Sequence, residues 1–507
     1  GTKEERFAIE HDATDATTAF LIRNLYSFLI CEGRRKRLLL GLQQPEADTS
    51  RHLNGTYGKD GFFDELVRKV KQAKDYFLLI GPPGTGKTSQ ALQHIVAEEL
   101  TEPNASVLLL AYTNRATDEI CAMLVDSGIA ARTPFIRLGH ELSTDPRFVP
   151  YLLRHHLDEC GNMNDIKQQI RKTRIFVATT TTIGNQLPLF NLKHFTLAIF
   201  DEASQLLEPN IVGILSAMNE GRPVIDRFVL TGDYKQLPAV VQQNQEESEV
   251  EEPELRAIGL TNCRNSLFER LYKIRKDDRF TAILHHQGRM HPDVAAFPSE
   301  KFYAKEQLVT VPLKHQLEEK LYTGNIPLTQ PLDHLIAEKR MLFFDAPATD
   351  ELNHSDKCNP QEALIVTKVL ESIYRLRQDE FDADRTVGVI VPYRNQIAMI
   401  RHEIEKLHIP TLQRITIDTV ERYQGSQRDI IIYSFTIRAG YQLDFLTANT
   451  FMEEGRLIDR KLNVVLTRAR KQMILVGSAQ LLRQNILFRQ LIAYVEEKGG
   501  FMDQIPE

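Results

Sequence analysis

Gly81-Pro82-Pro83-Gly84-Thr85-Gly86-Lys87-Thr88 carries two glycines five positions apart followed by Lys and Thr, the spacing of a phosphate-binding loop. Just before it, Tyr76-Phe77-Leu78-Leu79-Ile80 is a short apolar run suited to a buried parallel strand, and Ser89 to Leu100 has helical composition. Strand, loop and helix in that order are the context the motif requires. Glycines let successive backbone N–H groups turn toward phosphate oxygens, and the following helix adds its N-terminal partial charge. Gly81, Pro82, Gly84, Thr85, Gly86, Lys87 and Thr88 are therefore the expected clamp for ATP or another NTP. Lys87 would reach the outer phosphates, and Thr88 would ligate Mg²⁺.

The length of 507 residues corresponds to about three or four domains and excludes a small binding module. Apolar residues make up 42% and charged residues 26%, and no apolar run nears the roughly 20 residues of a membrane span, so no membrane partner is expected. Cys31, Cys121, Cys160, Cys263 and Cys358 are scattered without a CxxC pair or metal-ligand spacing. They read as reduced thiols of an intracellular protein, cytoplasmic if bacterial. A start at Gly1 without Met or signal peptide reads as a piece excised from a longer chain. The net charge of −6 argues against a basic nucleic-acid coat and makes any such contact local. Glu246 to Glu254 reads as a solvated acidic loop, and Arg34-Arg35-Lys36-Arg37 as the wet face of a helix.

Helical stretches at Thr17 to Cys31, Arg34 to Leu42 and Phe62 to Lys74 lead into the first strand. A second apolar run, Ser106 to Ala111, ends at Tyr112-Thr113-Asn114-Arg115, and a third, Arg174 to Ala178, ends at Thr179 to Thr182. Polar residues after parallel strands sit on the rim where α/β sheets bind ligands. The segment of about 121–172 between them reads as a mostly helical insertion and not as another sheet unit. Leu197-Ala198-Ile199-Phe200 then runs into Asp201-Glu202. In a phosphate-loop protein the first acid holds Mg²⁺ and the second orients and deprotonates the attacking water. Phe228-Val229-Leu230 leads to Thr231-Gly232-Asp233-Tyr234-Lys235-Gln236-Leu237-Pro238. Further strand-like runs at 341–344, 387–391, 415–417, 430–434 and 473–476 alternate with helical segments and predict a second open α/β sheet without a phosphate loop of its own.

GPPGTGKT, AYTNRATDE, FDEASQ and GDYKQLP, in that order, resemble the first motor domain of superfamily 1 helicases. The likeness is greatest to the subgroup of the nonsense-mediated-decay helicase and the Okazaki-fragment nuclease-helicase. Downstream, QGRMHP (from Gln287), VPYRNQ (from Val391), Asp418-Thr419-Val420 with Gln424-Gly425, and LNVVLTRAR (from Leu462) resemble that subgroup's second-domain motifs. The likeness covers about residues 62–480 and implies an α/β protein with two tandem RecA-like parallel-sheet motor domains. The expected limits are a helical N-terminal segment 1–61, a first domain 62–280, a second domain 281–483 and a C-terminal helix and tail 484–507. Arg289 and Arg468 would join Lys87 and Mg²⁺ around the γ-phosphate when the domains close, and Gln236 would sense that phosphate. Single-stranded DNA or RNA would cross the sheet tops at Thr113, Asn114, Thr180, Thr181, Pro392, Tyr393, Arg394 and Thr419, held through phosphates without sequence reading.

Departures from the subgroup bear on the nucleotide base. Gly288 stands where the subgroup has Tyr, and Gln427 replaces a ribose-contacting Glu while Asp429 remains. No Gln sits suitably before the phosphate loop, because Asp64 falls near the expected place and Gln72 lies too close. Loose base selectivity follows. Residues 1–60 also lack the strand alternation of a complete β-barrel that the subgroup usually carries there. Two functions fit. The first is an NTP-hydrolysing motor moving 5′ to 3′ on single strands, with DNA slightly favoured over RNA. The second is a nucleotide-switched clamp serving a larger protein, with a nuclease or accessory domain upstream.

Overall fold

The computed structural model describes residues 16–506 apart from 32, 59–60, 158–159, 242, 276, 323, 325, 348–354, 356 and 379. The chain forms two compact units. The first holds the residues up to Ile80, Lys87–Gly232 and Pro238–Ala282; the second holds Gly81–Gly86, Asp233–Leu237 and the chain from Ile283 onward.

The first unit is built on β1 (Tyr76–Ile80), β2 (Val107–Ala111), β3 (Phe135–Arg137), β4 (Ile175–Thr179), β5 (Phe195–Phe200), β6 (Ile225–Gly232) and β7 (Thr281–Ile283). Their spatial order is β3-β4-β2-β5-β6-β1-β7. The pairs from β3 through β1 are parallel, with Tyr76 opposite Phe228 and Val107 opposite Leu197. β1, β2 and β4 are buried at every position, which is why they read as continuous apolar runs and not as alternating ones. Because the strands are parallel, Ala111, Thr179, Phe200 and Gly232 end on one rim.

Two expectations need correction. The segment 121–172 is mostly helical, yet it also supplies β3, which pairs with β4 at the sheet edge (Phe135 opposite Ile175). Three residues are too few to show a period. Arg34-Arg35-Lys36-Arg37 is not simply a wet face. α1 (Ala16–Ile30) is followed by α2 (Gly33–Leu39), in which Arg35 is buried and donates to the carbonyls of Ile225 (2.7 Å) and Asp226 (2.9 Å). Arg34 bridges Asp75 and Glu46. These acceptors lie on distant parts of the chain, so a local charge run could not reveal them.

The second unit carries β8 (Met341–Asp345), β9 (Val387–Val391), β10 (Thr416–Thr419), β11 (Arg428–Ser434), β12 (Ala469–Gly477) and β13 (Phe501–Met502). They lie in the order β10-β9-β11-β12-β8-β13, with parallel neighbours throughout. The edge strand β13 comes from the C-terminal tail, beyond the helix Ile486–Glu497. Phe343, Ile431 and Leu475 fill one side of this sheet, and Phe344, Ile432 and Ile474 the other.

α1 is held against the first unit by close approach. A Cβ on Gly184 would run into the Phe20 ring, and one on Gly213 would meet the Asn24 backbone at 2.5 Å. Asn24 Nδ2 also donates to the Pro209 carbonyl at 2.8 Å. Gly213→Ala should displace α1 at a cost of about 1–3 kcal/mol. Limited proteolysis checks this: cleavage within 16–30 should accelerate while the sheet stays resistant, and an unchanged digestion pattern would contradict the packing.

Candidate nucleotide and nucleic-acid site

In the first unit the site grows from the end of β5. The strand carries Asp201 into a fully enclosed position, 3% exposed. Its Oδ2 accepts the Thr88 hydroxyl at 2.7 Å, and its Oδ1 accepts the Thr231 hydroxyl at 2.7 Å and the Glu202 amide at 3.0 Å. Burial, and then the neighbouring Glu202 charge, push the Asp201 carboxyl above its ordinary range, while Lys87 and the two hydroxyls pull it back. Glu202 adopts a left-handed backbone (φ 54°), uncommon for a residue with a side chain. Its carboxylate lies 3.2 Å from Lys87 Nζ and accepts Gln205 Nε2 at 3.0 Å. Lys87 and Thr88 open a π-helical turn, Lys87–Leu92, a distortion often found at functional positions.

The donor set suits Mg²⁺. One hydroxyl and one carboxylate converge, and among the described residues no group of three or more His, Cys, Asp or Glu forms a metal cage. Mg²⁺ is usually held by one or two protein oxygens, with waters and phosphates completing its shell.

In the second unit, Gly84 and Gly86 take left-handed conformations (φ 76° and 75°), which glycine adopts without strain. Gly288 N–H donates to the Gly84 carbonyl at 2.8 Å, and a Cβ on Gly84 would meet Arg289 Cβ at 2.5 Å. Arg289 Nη1 donates to the Thr467 carbonyl at 3.1 Å. Arg468 is buried and donates to Gln236 Oε1 at 2.8 Å. Gln236 Nε2 donates to Asp233, whose carboxylate also accepts the Tyr303 hydroxyl at 2.6 Å. Gln236 and Arg468 thus belong to one buried polar chain. Lys235 beside them is fully buried between Glu306 (2.7 Å) and Glu453 (2.6 Å).

The expected strand contacts differ in access. In the first unit Thr113 is exposed and caps the helix Asn114–Asp126 through the Ala116 amide at 3.1 Å. Asn114 is half-buried, with Arg137 3.5 Å from its Oδ1. Thr180 is fully buried, so its side chain is withdrawn from surface contact and exposed Thr181 is left on that rim. In the second unit Arg394 is exposed, Tyr393 half-buried, and Pro392 and Thr419 buried. Gln427 is exposed. Asp64 accepts the Tyr57 amide and Gln72 donates to the Arg51 carbonyl, so both side chains serve local structure.

Thr231, Tyr303, Glu306, Glu453 and Glu362 escaped the motif reading. Thr231 had a visible signal, a hydroxyl ending an apolar strand. Glu362 had half of one: Asn359 and Glu362 have the spacing of a helix cap, and the Asn359 side chain does accept the Glu362 amide at 3.1 Å. The rest of its role depends on the fold. The fully enclosed Glu362 carboxylate accepts the Ser434 hydroxyl (2.6 Å), the Thr436 and Ile437 amides (2.7 and 3.0 Å) and Asn359 Nδ2 (3.0 Å), pinning the turn after β11. Burial pushes its carboxyl up from 4.5 to about 7. A carboxyl raised on folding contributes stability at low pH that is lost as pH rises through the folded value. The second unit should therefore weaken between about pH 4.5 and 7. Glu362→Gln should remove that pH dependence and cost about 1–3 kcal/mol at acid pH, where the hydroxyl oxygen of the protonated carboxyl still accepts and the NH₂ of an amide cannot. Denaturant melts across the pH range check both effects; parallel profiles for the two proteins would contradict the assignment.

Comparison with known proteins finds matches along most of the chain. Two family profiles, each described as an AAA domain, match residues 64–174 with 162–244, and 263–480. The DNA replication ATP-dependent helicase/nuclease JHS1 of Arabidopsis thaliana is 28% identical over 450 residues, 87% of this chain and 30% of that protein. The DNA replication ATP-dependent helicase/nuclease DNA2 of Xenopus laevis is 27% identical over 460 residues, covering 87% and 39%. The probable RNA helicase armi of Drosophila melanogaster is 27% identical over 464 residues, covering 84% and 37%. The chain spans about a third of the length of these relatives. With a phosphate loop, an Asp-Glu strand end and the second-sheet motifs all in place along the matched residues, the chain belongs to the superfamily 1 helicases.

Proposed function

We propose that the chain is an NTP-driven motor that moves along single-stranded nucleic acid, 5′ to 3′, with DNA the first track to test. The observation that carries this reading is the set around Asp201: Thr88 at 2.7 Å, and Lys87 at 3.2 Å from Glu202. Lys87 binds the outer phosphates, Thr88 and Asp201 hold the cation, and Glu202 takes the proton from the attacking water. Mg²⁺, when bound, offsets phosphate charge as the terminal bond breaks. Arg289 and Arg468 supply further positive charge, and Gln236, bonded to Arg468, reports whether the γ-phosphate is present.

The polarity and the preference for DNA rest on likeness. Two of the relatives above are named for DNA replication and one as a probable RNA helicase. A nucleotide-switched clamp without sustained movement, serving a larger protein, is the second reading; two of the relatives are named helicase/nuclease.

Base recognition is proposed to be weak. Gly288 offers no ring, Gln427 lies exposed, and Asp64 and Gln72 are engaged locally. ATP and GTP should therefore give kcat/KM values within about tenfold, the effect of roughly 1.4 kcal/mol; a strong preference for ATP would contradict this.

Steady-state hydrolysis with oligothymidylate, with oligouridylate and with neither tests the motor. One polymer should stimulate turnover, and Glu202→Gln should lower kcat by about 100-fold or more. Glu202-dependent hydrolysis that ignores both polymers would favour the clamp.

A further inference from the structure

Tyr303 follows the helix Pro292–Lys301 and is fully buried in the apolar core of the second unit. Its neighbour Phe302 fills the same core with a bare ring. A residue needed only for packing would do likewise, because a buried hydroxyl is costly unless it is bonded. The Tyr303 hydroxyl is bonded on both sides: it donates to Asp233 Oδ2 at 2.6 Å and accepts Asn463 Nδ2 at 2.7 Å. Burial, and then the Asp233 charge, hold the phenol well above its ordinary range, so it keeps the proton that it donates.

Each bond of the chain that starts here has a fixed direction. Asn463 turns its NH₂ inward, because Nδ2 also meets the Lys235 carbonyl at 2.7 Å, and a carbonyl only accepts. The phenol accepts from Asn463 and points its proton at Asp233. The Asp233 carboxylate only accepts, so Gln236 presents Nε2 to it at 2.9 Å and Oε1 to Arg468 Nη2 at 2.8 Å. Turned the other way, the Gln236 amide would set its NH₂ against a guanidinium, donor against donor. Asn463 sits on the helix Arg460–Leu466 and Arg468 just beyond it, so the chain closes on itself.

The backbone of the Asp233–Gln236 loop has anchors of its own. Lys235 Nζ meets Glu306, Glu453 and the Phe302 carbonyl at 2.7, 2.6 and 2.9 Å, and the Tyr234 hydroxyl donates to Glu453 at 2.7 Å. With the backbone so held, what the Tyr303 hydroxyl adds is the direction of the Asp233 side chain and, through it, of Gln236.

We propose that Tyr303 is a positioning residue for NTP hydrolysis: bonded to Asp233 and Asn463, its hydroxyl keeps the Gln236 carboxamide turned with Oε1 on Arg468, so that the pair responds to a γ-phosphate. The role rests on the motor reading, which gives Gln236 and Arg468 their tasks, and deepens it by naming what orients them. Tyr303 acts on the nucleotide only through Gln236. Its hydroxyl therefore matters for a triphosphate and not for a diphosphate.

The test is Tyr303→Phe in the full chain, which keeps the ring and removes the bond. Affinities for a non-hydrolysable ATP analogue and for ADP are measured with Mg²⁺, beside steady-state kcat. The analogue should bind about tenfold more weakly and kcat should fall about tenfold, the effect of one hydrogen bond to a charged group, while ADP affinity changes less than about twofold. Added to Gln236→Ala, the same substitution should lower kcat by less than about a further twofold, because its effect passes through Gln236. Asn463→Ala loosens the phenol from its other side and should shift the ratio of the two affinities in the same direction; should Tyr303→Phe not fold, that ratio decides. Equal losses for analogue and ADP, or a full tenfold fall in the Gln236→Ala background, would reduce Tyr303 to packing and overturn the role. Gln236→Ala that slows hydrolysis while Tyr303→Phe does not would leave the motor reading standing and remove this inference alone. If the unmodified chain hydrolyses no NTP, or Gln236→Ala changes neither kcat nor the ratio, the motor reading of Gln236 fails and the positioning role falls with it.

Discussion

A carboxylate enclosed at the end of a hydrophobic strand is costly unless its lone pairs are met. Asp201 meets that condition with two hydroxyls and one backbone amide, drawn from three parts of the first unit. Thr88 comes from the start of the helix after the phosphate loop, Thr231 from the end of β6, and the amide from Glu202 itself. Satisfying one buried charge therefore aligns the loop's exit, the turn at Glu202 and the neighbouring strand end. The left-handed turn at Glu202 fits the same constraint, since it allows consecutive acids to serve different partners: Asp201 faces the hydroxyls and Glu202 faces Lys87.

The second unit repeats the device with another residue. Glu362 has four donors around an enclosed carboxylate, and all but one of them come from residues other than its own helix cap. Gln396, on the helix after Tyr393, is tied into the same cluster through Asn359 and Ser434. The β9 and β11 exits are thus coupled by one polar knot. Parallel sheets place their functional loops at one rim, and in each unit a buried acid holds that rim in shape.

Much of this is legible in the amino-acid order. Continuous apolar runs such as Val107–Ala111 and Val387–Val391 announce strands buried on both faces, and polar residues at their ends announce the rim. The phosphate-loop spacing and the Asp201-Glu202 pair stand out because phosphate and metal binding demand particular residue types at fixed spacing. What stays hidden depends on long-range partners. Arg35 reads as solvated because its acceptors, the Ile225 and Asp226 carbonyls, lie about two hundred positions away. β3 is too short to show a period, and β13 consists of two residues of the tail. Thr180 and Thr181 look identical in sequence, yet one is buried and the other exposed, because successive positions of the helix they begin point about 100° apart.

If Thr88 and Asp201 form one metal-nucleotide site, a double-mutant cycle will register their coupling. Affinity for a fluorescent nucleotide is measured, with and without Mg²⁺, in the unmodified chain, Thr88→Ala, Asp201→Asn and the double variant. A Mg²⁺-dependent coupling of at least about 1 kcal/mol, vanishing when the cation is removed, is expected of a shared site. Losses that add within about 0.5 kcal/mol, or a coupling indifferent to Mg²⁺, would contradict it.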